Sequence, residues 1–167
     1  METVIIGSEL ISLRKTTARD IDFVKQAETD SENVPYVGQW SFDEHLKSFD
    51  DNNFMHLIVQ TNAGKRVGFI ILAGIENQNR SIELRRIVII EKGSGYGKKA
   101  IALVKRLAFE KLGAHRLWLD VREKNDRARY VYQSQGFQEE GKLREYIMYN
   151  GEYESLIVMS ILETEYF

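Results

Sequence analysis

The stretch from Ile82 to Ile90 is the most apolar strand candidate in the chain, and it runs straight into Lys92-Gly93-Ser94-Gly95-Tyr96-Gly97-Lys98. Its last four residues, Ile87 to Ile90, are all β-prone. Beyond the glycines, Ala100, Ile101, Val104, Leu107, Ala108 and Leu112 recur at helical spacing, and Gly113 supplies a stop. A strand that feeds a helix through a glycine loop constrains both fold and ligand. Glycines let backbone amides turn inward, and the helix N-terminus adds partial positive charge, so a pyrophosphate is the natural guest. Lys92, Lys98 and Lys99 carry the same sign. The spacing is not that of a Walker A loop, because Gly93 and Gly97 enclose three residues rather than four. Nor is it a dinucleotide fingerprint, since Lys98 stands where a third glycine would be needed. On the loop alone, a plain connecting turn remains the alternative.

The rest of the chain surrounds this transition with short elements. Leu10, Ile11 and Leu13 begin a strand closed by Arg14 and Lys15, and Thr17 caps a helix carrying Ile21, Phe23, Val24 and Ala27. Thr29 to Asn53 is irregular and acidic, with Asp30, Glu32, Asp43, Glu44, Asp50 and Asp51, and holds the only proline, Pro35. Ser41 with Glu44 forms a capping box, which predicts a short helix through Phe49. Strands are expected over Phe54–Gln60, Val67–Leu72 and Arg116–Val121, and a helix from Asn125 through Gln135. Leu143–Tyr149 and Tyr153–Leu162 flank Asn150-Gly151, a type I′ hairpin signal. The order β-α-α-β-β-β-α-β-α-β-β describes an α/β (α+β) domain around one mixed sheet.

Length and composition narrow the class. One domain, 1–167, is expected from 167 residues. A net charge of -2 argues against a general nucleic-acid binder, and the absence of cysteine excludes disulfides, thiolate metal sites and cysteine nucleophiles. Met1 to Leu13 shows no basic start followed by a long apolar run, and no apolar stretch approaches the ~20 residues of a membrane span. A cytoplasmic protein, bound to neither nucleic acid nor membrane, is expected.

Two motifs give the loop more weight. Lys92-x-x-Gly95-x-Gly97 resembles the acyl-CoA loop of GNAT acetyltransferases, with lysine where Gln or Arg is usual. Asn125-x-x-Ala128-x-x-x-Tyr132-x-x-x-Gly136-Phe137 resembles the family's second signature, 28 residues beyond Gly97. Gly141 to Glu145, Asn150-Gly151 and Tyr153 look like the closing hairpin of the branch with ribosomal-protein N-terminal and spermidine acetyltransferases. The resemblance implies a mixed, mostly antiparallel sheet flanked by about four helices. It implies acetyl-CoA as co-substrate, no metal, an amine acceptor, and exposed strand edges that often pair into homodimers.

Acetyl transfer from a thioester to an amine needs a proton taken from the amine, a stabilised oxyanion and a protonated leaving thiolate. By resemblance, the backbone of Ile87, Val88 and Ile89 holds the thioester and pantetheine, the loop from Lys92 through Gly93, Ser94, Gly95, Tyr96 and Gly97 to Lys98 holds the pyrophosphate, and Asn125 contacts the cofactor. Asn125 equally suits a plain N-cap. Tyr132 is the expected general acid, against a packing role. Glu83 is a candidate base, against a role in salt bridges with Arg85 or Arg86. His45 and His56 are weaker base candidates, against a structural or surface role, and with His115 they form no metal pattern. Trp40, Tyr36 and Phe42 either line an acceptor pocket or anchor their segment. Inside the enzyme class, a polyamine-like amine and a protein N-terminus both remain open. A non-catalytic acyl-CoA-binding regulatory module is the alternative from another class.

Overall fold

The computed structural model describes residues 3–30 and 39–167. Glu32, Pro35 and Tyr36 therefore lie outside the described residues. Eight strands form one sheet: β1 (Val4–Gly7), β2 (Ile11–Lys15), β3 (Phe54–Thr61), β4 (Arg66–Ala73), β5 (Ser81–Ile89), β6 (Arg116–Arg122), β7 (Gln138–Tyr149) and β8 (Glu152–Leu162). Their order is β1-β2-β3-β4-β5-β6-β8-β7. Every described pairing is antiparallel except β5 with β6. That one parallel pair is the place where a helix, α3 (Tyr96–Arg106), makes the crossover a parallel connection requires.

The two faces of the sheet are covered differently. On one face α3 and its continuation Leu107–Lys111 bury Ala100, Ile101, Leu103, Val104 and Leu107 against Leu57, Ile70, Leu84, Leu117 and Leu119. On the other, α1 (Ile21–Thr29) packs Val24 and Ala27 on Ile58, Phe69, Ile71 and Val88, and α2 (Phe42–Phe49) lies beside it. Helix α4 (Asp126–Ser134) sits between β6 and β7, and one turn, α5 (Glu163–Tyr166), follows β8.

Local chemistry sets these boundaries. The capping box at Ser41 is formed, with the Glu44 amide donating to Ser41 Oγ at 3.1 Å and the Ser41 amide to Glu44 Oε1 at 3.3 Å. Asn150 and Gly151 have φ of 52° and 77°, the left-handed pair a type I′ turn needs. The expected helix from Thr17 begins instead as a 3-10 turn, Ala18–Asp20, because Asp20 is pulled into a bidentate pair with Arg14 of β2 at 2.8 and 2.9 Å. Strand β1 and turn α5 carry no sequence signal of their own, and with α5 the described residues hold five helices, in keeping with the expected sheet flanked by about four.

Candidate active site

Strands β5 and β6 pair only at their beginnings, through Ser81, Ile82 and Glu83 with Arg116, Leu117 and Trp118. Beyond Glu83 the two strands separate, while β5 stays bonded to β4 and β6 to β8. The cleft that opens has one wall made by the backbone of Ile87, Val88 and Ile89. A bulge shapes this wall: Arg86 pairs with Ile71 but Leu84 with Leu72, so Arg85 is an extra residue. The bulge shifts the alternation, and Ile87 and Ile89 join Ile82 and Leu84 on the α3 face. Their side chains pack while their backbone edge faces the gap.

The glycine loop closes the far end of the cleft. Gly93 and Gly95 have φ of 82° and 76°, and Gly95 is the residue preceding α3. A Cβ placed on Gly93 or Gly95 would meet nothing within 4 Å, so the loop is an open cradle. The first turn of α3 carries no acidic residue, and Lys98 and Lys99 are exposed there. Its orphan amides, those of Tyr96, Gly97 and Lys98, are suited to an anionic group. Lys92 and Ser94 are exposed on the same loop. Glu91 is turned away by Lys65 at 2.7 Å and by the Tyr96 hydroxyl, and these bonds hold its carboxyl below its usual range.

Three titratable side chains, those of Glu83, Asp120 and Tyr132, lie near the place where the strands part. Alternation puts Leu117, Leu119 and Val121 on the α3 face, so Trp118 and Asp120 lie on the face covered by α1 and α2. Glu83 opens on that face too, 3.6 Å from Arg85. Burial raises the Glu83 carboxyl, Arg85 opposes the rise, and Asp120 adds to it. Partial burial also raises Asp120, against the charge of Arg85. Tyr132 is half-buried on α4, 5.8 Å from the Phe137 ring centre, whereas Tyr130 is 69% exposed. Burial, then the negative charge of Asp120, pushes the Tyr132 phenol up to about 12. Asp120 therefore acts electrostatically on both Glu83 and Tyr132, and nothing in its sequence context marks it.

Asn125 caps α4, its Oδ1 accepting from the Ala128 amide at 3.2 Å. His45 and His56 lie at 0% and 4% exposure behind the cleft, and His115 is exposed at the start of β6 beside Glu163. Trp40 is half-buried with Arg85 and Arg86 over its ring at 5.9 and 5.3 Å, while Phe42 is 47% exposed. Among the described residues no group of three or more His, Cys, Asp or Glu is placed to hold a metal ion, and no helix is long and apolar enough to cross a membrane.

A split parallel pair, an amide cradle at a helix start and a half-buried phenol define an acyltransferase scaffold. The chain belongs to the acetyltransferase (GNAT) family, whose model matches residues 21–137. It is similar to the spermidine N(1)-acetyltransferase of Vibrio cholerae, 28% identical over 168 residues and covering 93% of this chain and 95% of that one. It also matches the putative ribosomal N-acetyltransferase YdaF of Bacillus subtilis at 31% identity over 104 residues, covering 62% and 57%. The crystal structure of spermidine N-acetyltransferase from Vibrio cholerae in complex with CoA and spermine superposes with a TM-score of 0.84. The two are 27% identical, and the match covers 93% of this chain and 97% of that one.

Proposed function

We propose that this acetyltransferase moves the acetyl group of acetyl-CoA directly to a primary amine, with a polyamine-like amine as the acceptor class its acidic approach suits best. The observation that carries the reading is the separation of β5 from β6 immediately before the glycine loop, with Glu83, Asp120 and Tyr132 around the gap. The cradle amides of Tyr96, Gly97 and Lys98, with Gly93, Gly95, Lys92 and Ser94 around them, take the pyrophosphate. The edge of Ile87, Val88 and Ile89 takes the pantetheine and polarises the thioester carbonyl. Asn125 caps α4 and contacts the cofactor.

In the reaction the amine nitrogen, having lost its proton to Glu83 or through water to Asp120, attacks the thioester carbon. The tetrahedral oxyanion is met by a β5 amide, the C–S bond breaks as Tyr132 gives its proton to the departing sulfur, and the second proton of the nitrogen leaves through water to restore the Tyr132 phenol. No step is assigned to a metal ion. The whole reaction is placed in one domain, 1–167, in the cytoplasm, where acetyl-CoA is drawn upon, and neither nucleic acid nor membrane takes part in it. Tyr146, Met148 and Tyr153, at 65%, 61% and 59% exposure on the edge hairpin, support a homodimer. A monomer in sedimentation at micromolar concentration would reject that assembly.

Thiol release from acetyl-CoA with a panel of polyamines, aminoglycosides and peptide N-termini tests the reading. Amine-dependent release is expected, strongest with polyamines. Tight CoA binding with no release for any amine would make the chain a binding module instead.

A further inference from the structure

A continuous line of polar side chains runs between the sheet and helices α1 and α2, in a layer otherwise packed with apolar groups. Thr16 Oγ1 lies 2.8 Å from His56 Nδ1, His56 Nε2 lies 3.0 Å from His45 Nδ1, and His45 Nε2 lies 2.9 Å from Glu28 Oε1. The other carboxylate oxygen of Glu28 accepts from Arg86 Nη1 at 2.8 Å and from the Trp40 amide at 3.4 Å. Thr16, Glu28, His45 and His56 are at most 4% exposed.

The direction of the bonds follows from the inventory of donors. Arg86 and the Trp40 amide can only donate, so Glu28 accepts throughout and is ionised. His45 Nε2 then carries a proton toward Glu28, its Nδ1 accepts from His56 Nε2–H, and His56 Nδ1 accepts from the Thr16 hydroxyl. Each ring needs one proton, and every polar atom of the line is satisfied. Burial, the largest cause, pushes the His56 imidazole down to about 3, consistent with a neutral ring.

On stability alone, a buried ion pair of this kind roughly breaks even with apolar packing. Its effect lies in what it joins. Glu28 is in the last turn of α1, and Trp40 stands two residues before α2. The Trp40 carbonyl is also held, by Lys25 Nζ at 2.5 Å. Arg86 occupies the β5 bulge and faces the Trp40 ring, next to Arg85 with its contact to Glu83. The Trp40 backbone is thus held at both its amide and its carbonyl, and its ring is covered by the two arginines of the strand that forms the cleft wall.

We infer that Glu28 and Arg86 are positioning residues whose ion pair locks Trp40 to the β5 bulge, giving the amine acceptor a fixed wall beside Glu83. The inference rests on the acetyl-transfer reading above. A double variant, Glu28→Gln with Arg86→Met, removes both buried charges and leaves only Lys25, 3.5 Å from Glu28 and partly exposed to solvent, so it should recover most of the thermal stability that Glu28→Gln alone loses. Its amine kcat/KM should remain at least tenfold down, chiefly through KM, with CoA affinity unchanged. Hydrogen exchange in the peptide containing Trp40 should rise at least tenfold while the glycine loop exchanges as before. Wild-type amine kcat/KM in the double variant, or unchanged exchange at Trp40, overturns the positioning role. If the unaltered protein acetylates no amine, the functional reading fails instead, and exchange at Trp40 still decides whether the lock exists.

Discussion

Tyr132 and Tyr130 are two residues apart, yet a helix turns them to different sides, and only Tyr132 is packed beside Phe137. The spacing from Asn125 to Gly136 separates the two tyrosines in the same way. A phenol pushed up to about 12 is protonated at every working pH. The same burial that disfavours a phenolate also disfavours a thiolate at that position, so the proton can still pass to sulfur. Tyr132→Phe should lower kcat at least tenfold, within the ~10²–10⁴ range for a lost general acid, and leave CoA affinity unchanged. An undiminished single-turnover rate would make the residue structural. Asp120 was not legible, because one aspartate in a strand acquires meaning only when β6 lies beside β5. Both carboxyls are raised, so the acid limb of the kcat/KM profile should lie above the usual carboxylate value of about 4. A base must be deprotonated, so activity rises with pH through that limb. Asp120→Asn removes a like charge from Glu83, lowers its pKa and should move the limb to lower pH. Movement upward, or a limb that survives Glu83→Gln unshifted, would take the base role from Glu83.

Elements with a complete local signal were readable, and those that depend on a neighbour were not. The Ser41 box, the Asn150-Gly151 turn and the glycine loop each carry their own conformational reason. Strand β1 has a single buried residue, Ile6, and exists by pairing with β2. The first half of β7, Gln138 to Lys142, is exposed and lacks alternation, and β8 alone defines it. The one-turn α5 is held by Tyr166 stacking on Phe109 at 4.9 Å. Within the loop, sequence treats the glycines as equivalent, whereas the structure separates them. Gly95 needs its left-handed φ, so Gly95→Glu adds strain of about 1–2 kcal/mol besides charge. Gly97 has no such requirement, and its nearest Cβ neighbour is Ile89 Cγ1 at 4.0 Å. Gly97→Glu should therefore raise the CoA Kd at least tenfold with an unchanged Tm, and unchanged affinity would remove the pyrophosphate from this cradle. The corner from β2 to α1 makes a stability prediction. Burial would raise Asp20, but bonds from Arg14, the Thr17 amide and Arg66 outweigh it and hold the carboxyl at about 2. A depressed pKa contributes stability above the unfolded value near 4, and that contribution is lost as pH falls toward 2. Asp20→Asn should cost about 3 kcal/mol at pH 7, since it removes the carboxylate paired with buried Arg14, and the gap from wild type should shrink between pH 4 and 2 in chemical unfolding.

At the scale of the molecule, the functional arrangement is a sheet divided by one incomplete pairing. The chain order implied one mixed sheet but not the place where two of its strands part, because a strand's sequence does not report where its partner leaves it. In the function proposed here, the division gives the two faces separate tasks: α3 and the glycine loop for the anionic cofactor, and α1, α2 and Trp40 for the acceptor. Charge is divided in the same sense. Lys98 and Lys99 flank the cradle, while Asp30, Asp43, Glu44, Asp50 and Asp51 are exposed on or beside α1 and α2. With a net charge of only -2, the molecule as a whole has little field, so steering of a cation must come from this local cluster. Exposed charges act over about 8 Å at physiological ionic strength and over roughly 30 Å at 0.01 M. The KM for a polyamine should therefore rise severalfold between low salt and physiological salt, with kcat nearly constant because the buried Glu83 side is screened far less. Neutralising Asp43 and Glu44 together, as Asn and Gln, should flatten that dependence and leave the KM for acetyl-CoA unchanged. A polyamine KM that does not respond to salt in the unaltered protein would place acceptor selection within the cleft itself, on Trp40 and Glu83, and not on the acidic approach.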